Sequence, residues 1–206
     1  MSVYDRFKRV RRLALVGAIS VAAGVLTLPA DTVGAIPPWA TCSNGAMRRS
    51  TNPIAWQWGT GMTGGTADEI EHRDGASIAI WNWVSTTFIN STAGGNLTWT
   101  RINSGVGGPN AEHFPISTIE IYGTCTLTVS EIRFNPHFTD AFTNVEISGT
   151  AAHEFGHRTG FLHDPNETGV CTPDTIMLRF RVQRWNGTCT WAEPRSIDRW
   201  IINATY

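Results

Sequence analysis

The chain has 206 residues, 41% of them hydrophobic and 16% charged, with 9 Trp and 9 Phe. That is enough apolar material for one well-packed domain, or at most two small ones, and it argues against intrinsic disorder. Formal net charge is −1, but five of the 16 basic residues (Arg6, Lys8, Arg9, Arg11, Arg12) and two of the 17 acidic ones (Asp5, Asp31) fall in the first 35 positions. The remainder holds 11 basic and 15 acidic residues, a net of −4, and a mildly acidic body without a basic run excludes nucleic acid as a partner.

The first 35 residues explain the imbalance. A cationic lead, "MSVYDRFKRVRR", is followed by the apolar run "LALVGAISVAAGVLTLPA" and by the small-residue exit Val33, Gly34, Ala35. This is the layout of a secretory signal peptide over residues 1–35, cleaved near Ala35, with Leu28–Ala30 as a second possible site. The competing reading is an uncleaved anchor, the only case in which a membrane would be a partner, because the run approaches the ~20 residues needed to span a bilayer. Gly24, Pro29 and the small exit favour removal, so the chain is expected to be extracellular.

Export fits the cysteines. Cys42, Cys125, Cys171 and Cys189 all follow the expected cleavage point and none forms a CxxC pair. An even number in an exported chain suggests two disulfides, for which three connectivities exist. Proximity favours Cys171–Cys189, leaving Cys42 with Cys125. Closing the shorter loop would stabilise by roughly 3 kcal/mol in the chain-entropy picture.

Residues 36–206 hold no repeat and no long linker, which suggests one domain. "STNPIAWQWGTGM" reads as a strand with Ile54, Trp56 and Trp58 on one face. In "GGTADEIEHRDGASIAIWNWVSTT", Thr66 and Glu69 form a capping box, and Ile70, Ile78, Trp81, Val84 and Phe88 keep helical spacing as the expected inward stripe. Between 96 and 135 the pattern becomes four strands, "LTWTRI", "STIEIYG", "TLTV" and "EIRFN". A second capping box, Thr143 with Glu146, opens a helix with the stripe Ile147, Ala151, Phe155. "AEPRSIDRWIINATY" predicts a terminal helix with Pro194 near its first turn and Ile197, Trp200 and Ile201 facing inward. The succession is that of an α+β or α/β chain with one mixed sheet.

The second capped helix carries "TAAHEFGHRTGFLHD". His153 and His157 stand one helical turn apart, about 5–6 Å at Cβ, so two ring nitrogens can meet one ion. Glu154, one residue round, can lie beside that ion without ligating it and take a proton from bound water. Gly160 can adopt the positive φ that ends the helix, letting His163 return as third ligand. Catalytic zinc commonly takes three protein ligands and leaves a fourth position for water. Five fixed positions of this kind arise by chance in such a chain on the order of once in 10⁵. The alternatives are surface histidines at a helix end, or a third ligand from elsewhere, such as Glu193.

This stretch resembles the metzincin metalloproteases. That resemblance implies a methionine on a tight turn beneath the zinc, and "PDTIMLRF" offers Met177, 14 residues after His163. Over roughly residues 50–206 the chain is most similar to a bacterial matrixin-type catalytic domain, on "IAWQW", Trp81 and Trp83, "SEIRFN", "AAHEFGHRTGFLHD", "TIM" and "RSIDRWIINATY". The resemblance implies an α/β-type zincin fold: one catalytic domain over 36–206, a mixed twisted sheet with long helices, and an active-site helix followed by a Met-turn and a C-terminal helix. It further implies one catalytic Zn²⁺ on His153, His157 and His163, with Glu154 as general base, acting as a monomer on protein or peptide substrates. A catalytically silent zinc-binding module and a peptidase restricted to small peptides are the other functions considered. The substrate is expected to lie extended along an edge strand, placed around Gly123–Val129.

The chain departs from that pattern at Asp164, where matrixins usually carry serine, and at Arg179 and Phe180, where astacins carry a tyrosine after the Met-turn. No cysteine-switch propeptide is visible. His72, His113 and His137 could serve an additional structural Ca²⁺ or Zn²⁺ site, but with few acids nearby they are expected to be solvent-exposed. The sequons at Asn90, Asn96, Asn166, Asn186 and Asn203 matter only in a glycosylating host.

Overall fold

The computed structural model describes residues 49–121, 124–163, 175–178 and 192–206. The expected signal segment, Cys42, Cys171, Cys189, Asp164, Arg179 and Phe180 lie outside the described residues. The strands are β1 (Arg49–Ser50), β2 (Ile54–Trp58), β3 (Ser91–Ala93), β4 (Leu97–Arg101), β5 (Ala111–Ile121) and β6 (Thr124–Phe134). The helices are α1 (Ala67–Val84), α2 (Pro136–Thr139), α3 (Asn144–Arg158) and α4 (Ser196–Thr205). The class is α+β with one mixed sheet, as the sequence predicts.

Across the sheet the strands run β3-β2-β4-β6-β5. β2, β3, β4 and β6 pair parallel to one another, and β5 pairs antiparallel to β6 along its full length. Because β5 occupies one side of β6 entirely, β1 and β4 share the other side: Ser50 sits opposite Leu127 and Leu97 opposite Ser130. Two of the expected strands, "TLTV" and "EIRFN", are therefore halves of the single strand β6. The expected edge strand is also corrected, since 124–129 lies inside the sheet, whose edge strands among the described residues are β3 and β5. Pro115, which cannot donate to a ladder, sits in β5 beside a register irregularity, where an edge strand tolerates it.

Both predicted capping boxes form. Thr66 Oγ1 accepts from Glu69 N at 3.3 Å, and Thr143 Oγ1 accepts from Glu146 N at 3.4 Å. The inward face of α1 differs from the expected one. Ile70, Ile78, Trp81 and Phe88 are exposed, while His72, Gly75, Ala76, Ala79, Ile80 and Trp83 are buried. Contact with α3 decides the face. A Cβ on Gly75 would stand 2.6 Å from Ile147 Cγ2, so only small residues allow this approach. Trp83 then reaches across to donate its indole N–H to Ala152 O at 2.9 Å.

α3 bears its predicted stripe but is enclosed on every side from Ile147 to Thr159. Trp99 of β4 stacks between Phe134 and Phe155, at centroid distances of 5.9 and 6.3 Å, joining the sheet to α3. α4 also turns a different face inward. Ile197, Trp200 and Ile201 are exposed, and the buried positions are Asp198 and Ile202. A carboxylate sets that rotation, for the reason given below.

Candidate metal centre

The helical repeat of α3 brings the rings of His153 and His157 to a centroid distance of 4.8 Å. The helix ends at Thr159, whose hydroxyl returns to Gly156 O at 2.7 Å, and Gly160 takes φ of 103°. That conformation is open to glycine at low cost and turns the chain back. Gly160 N donates to His157 O and Phe161 N to Gly156 O, closing the turn. His163 is thereby brought over the other two: its Nε2 lies 3.2 Å from His153 Nε2 and 3.2 Å from His157 Nε2.

The other ring nitrogens are committed. His153 Nδ1 lies 2.7 Å from Ile176 O and His157 Nδ1 lies 2.8 Å from Phe161 O. A carbonyl only accepts, so each Nδ1 carries the proton and each Nε2 presents a lone pair. Lone pairs packed tip to tip repel unless a cation or a proton lies between them. A tetrahedral ion about 2.05 Å from each nitrogen separates them by roughly 3.3 Å, which the observed spacing matches. Among the described residues these three side chains form a group able to hold a metal ion, with ligand atoms all within 4.8 Å of one another.

Glu154 is buried on α3 next to His153. Met177 packs against α3 at Gly156. It is 1% exposed, and a Cβ on Gly156, between the two helical ligands, would stand 2.5 Å from its sulfur.

Two residues around the site, Asp198 and Arg158, were not singled out in the sequence, and a third, His113, was read there only as an exposed histidine. The carboxylate of Asp198 accepts from Thr175 Oγ1, from Ile176 N at 2.9 Å and from Arg195 N at 2.7 Å, so α4 holds the turn that carries Met177. A lone acid within the apolar "SIDRWII" was the available signal. Arg158, fully buried, follows the second ligand directly. His113 of β5 is also fully buried, its ring centroid 6.4 Å from that of His157. Burial, followed by the neighbouring His157 and Arg158, holds its pKa well below the ordinary histidine value.

The expected exposure of His72 and His113 is corrected, since both are buried; only His137 is exposed. His72 is occupied by Asp68 O and Thr139 Oγ1, which leaves no ring nitrogen for an ion. Glu193, the alternative third ligand, is exposed and pairs with Arg199 at 3.7 Å, and it is not in the group of three histidines. Cys125 is buried and disulfide-bonded. The other three cysteines lie outside the described residues, so the pairing stays an expectation.

No protein-family model matches the chain, and no curated protein matches it. A solved structure, "Structure of Myroilysin", is similar at 17% identity and a TM-score of 0.41, over 81% of this chain and 72% of that one.

Proposed function

We propose that the protein is a secreted zinc endopeptidase of the metzincin type, closest to the bacterial matrixin catalytic domains. The observation that carries the reading is the meeting of three imidazole Nε2 atoms, that of His163 lying 3.2 Å from each of the other two, with the Nδ1 atoms of His153 and His157 held by backbone carbonyls. Exclusively nitrogen donors, three in number, suit zinc in a site that keeps one position for water or substrate. When bound, zinc would acidify its water toward a pKa of ~7 and polarise a substrate carbonyl.

The chain's own residues supply the remainder. His153, His157 and His163 hold the ion through Nε2. Glu154 accepts the proton of the attacking water and delivers it to the leaving amine. Burial strips water from that carboxylate and so strengthens its electrostatic influence on the reacting groups. The outer edge of β5, which no other described strand covers, would offer main-chain donors and acceptors to an extended peptide adding itself as a further strand. Residues 1–35 direct export, and Cys171–Cys189 with Cys42–Cys125 brace the mature chain.

The test is digestion of casein by the secreted protein with and without a zinc chelator, beside Glu154→Ala protein whose zinc content has been measured. Zinc-loaded Glu154→Ala protein that cleaves at the wild-type rate would sink the assignment. Long peptides tested against dipeptides separate an endopeptidase from an enzyme restricted to small peptides.

A further inference from the structure

Arg158 stands out from its surroundings. It is 0% exposed, yet each of its hydrogen-bond acceptors is neutral: Ser50 Oγ, Thr51 Oγ1 at 3.1 Å, Leu127 O at 3.1 Å and Thr128 O at 3.5 Å. Its Nε has no hydrogen-bond partner, and no carboxylate lies within ion-pair distance among the described residues. Desolvating a guanidinium without an anion costs several kcal/mol, which an apolar side chain of similar volume would avoid. What the arginine supplies in return is reach. It crosses the seam where β1 meets β6, Ser50 opposite Leu127, and ties both strands to the last turn of α3.

A second tie lies one residue on. The hydroxyl of Tyr206 donates to Thr159 O at 3.0 Å and accepts from Ser50 N at 2.5 Å. Arg158 and Thr159 thus both anchor to β1, immediately after His157 and immediately before Gly160. This is the turn that sets two ligands at once. Phe161 O within it fixes the tautomer of His157, and the backbone reversal at Gly160 swings His163 into place.

We infer that Arg158 is a positioning residue for the metal centre: with Tyr206 it clasps the turn between the second and third histidine to β1 and β6, holding His157 Nε2 and His163 Nε2 at ligating distance. The inference rests on the metal-centre reading above. It adds that the first described strand and the C-terminal tyrosine are parts of the metal-holding apparatus, although neither approaches the ion. Without the clasp the histidines remain, but the spacing of the last two is no longer fixed in advance of binding.

The experiment measures zinc release to a chromogenic chelator, and the visible spectrum of the cobalt-substituted protein, for wild type, R158M, R158K and Y206F. Loss of groups that orient metal ligands typically weakens metal binding about 10–100-fold. R158M should therefore release zinc at least about tenfold faster than wild type, with an altered cobalt spectrum. R158K, which keeps the charge and can reach part of the acceptor set, should recover part of the loss, and Y206F should fall between it and wild type. R158M and Y206F proteins that melt at lower temperature but release zinc at the wild-type rate, with an unchanged cobalt spectrum, would show a purely structural role and overturn the inference. If R158M does not fold, R158K and Y206F decide by the same readout. Wild-type protein that binds no zinc would overturn the metal-centre reading itself, a result distinct from normal zinc release in the variants.

Discussion

Asp198 and His153 act on opposite faces of one peptide unit's neighbourhood: the Asp198 carboxylate takes the N–H of Ile176 at 2.9 Å, and the carbonyl of the same residue takes His153 Nδ1–H at 2.7 Å. The first ligand is thus oriented from α4 through the turn that carries Met177. Asp198→Ala leaves the buried donors of Thr175 and Ile176 without an acceptor, at about 1–3 kcal/mol each. The expected result is an apo-protein destabilised by about 2–6 kcal/mol and a zinc affinity about tenfold lower. Urea titration and chelator competition check the two halves. Wild-type affinity in this variant would mean that the turn holds His153 unaided.

Glu154→Gln keeps the volume and polarity of the side chain but removes its capacity to take a proton. Zinc content should stay at the wild-type level while peptide cleavage falls about 10²–10⁴-fold, the usual contribution of a positioned base. Because the change touches proton transfer rather than metal binding, kcat should carry most of the loss. A variant whose activity falls only in step with lost zinc would place Glu154 among the holding groups instead.

Metal removal reads the same site through stability. A ligand that binds only the folded state adds RT ln(1 + [L]/Kd), about 4 kcal/mol at a thousandfold excess over Kd. Dialysis against a chelator should lower the melting temperature and abolish cleavage, and zinc should restore both. In His163→Ala protein, zinc should raise the melting temperature far less, since two nitrogens make a weak site.

Features legible in the sequence are those encoded by neighbours along the chain. The capping boxes at Thr66 and Thr143, the pairing of His153 with His157 and the reversal at Gly160 each depend on a few consecutive residues. The inward faces of α1 and α4 were not legible, because they are chosen by partners distant in sequence. Apolar side chains surround α1, and contact with Ile147 selects the face bearing Gly75 over the one bearing Trp81. On α4 the three backbone and hydroxyl donors around residues 175, 176 and 195 draw Asp198 inward and leave Trp200 outside. The edge strand was misplaced for the same reason: strand order is a tertiary property, and "TLTV" carries no mark of being covered by β5.

Gly75 offers a test of that packing. In a helix interior, Gly→Ala gains up to about 1 kcal/mol in propensity. Here the new methyl would meet Ile147 Cγ2 at 2.6 Å and the backbone nitrogen of Ser148 at 3.2 Å, and backbone cannot move aside cheaply. Overpacking of this kind costs about 1–3 kcal/mol, so Gly75→Ala should be net destabilising by about 1–2 kcal/mol. Equilibrium unfolding checks it, and a stabilised variant would show that α1 and α3 are not held in this close contact.

His113 gives the protein a pH dependence with a definite sign. Burial holds its folded pKa well below the ordinary value near 6.5, so the folded state keeps it neutral. Above about pH 6.5 neither folded nor unfolded chain carries the proton, and this residue adds no pH dependence. Below that value the unfolded chain gains a proton that the folded chain refuses, so stability falls as pH drops toward the folded pKa. One proton corresponds to about 1.4 kcal/mol per pH unit. His113→Leu removes the titration, and it also removes two buried ring nitrogens that have no hydrogen-bond partner among the described residues. Metal-free wild type and His113→Leu should therefore show similar slopes of stability against pH above 6.5. Between pH 6 and 5 the wild type should lose up to about 1.4 kcal/mol per unit more than the variant. Comparing the two proteins cancels His72, whose burial lowers its pKa in both. Identical acid slopes would mean that His113 takes up its proton in the folded state, which its enclosure between β5 and His157 should forbid.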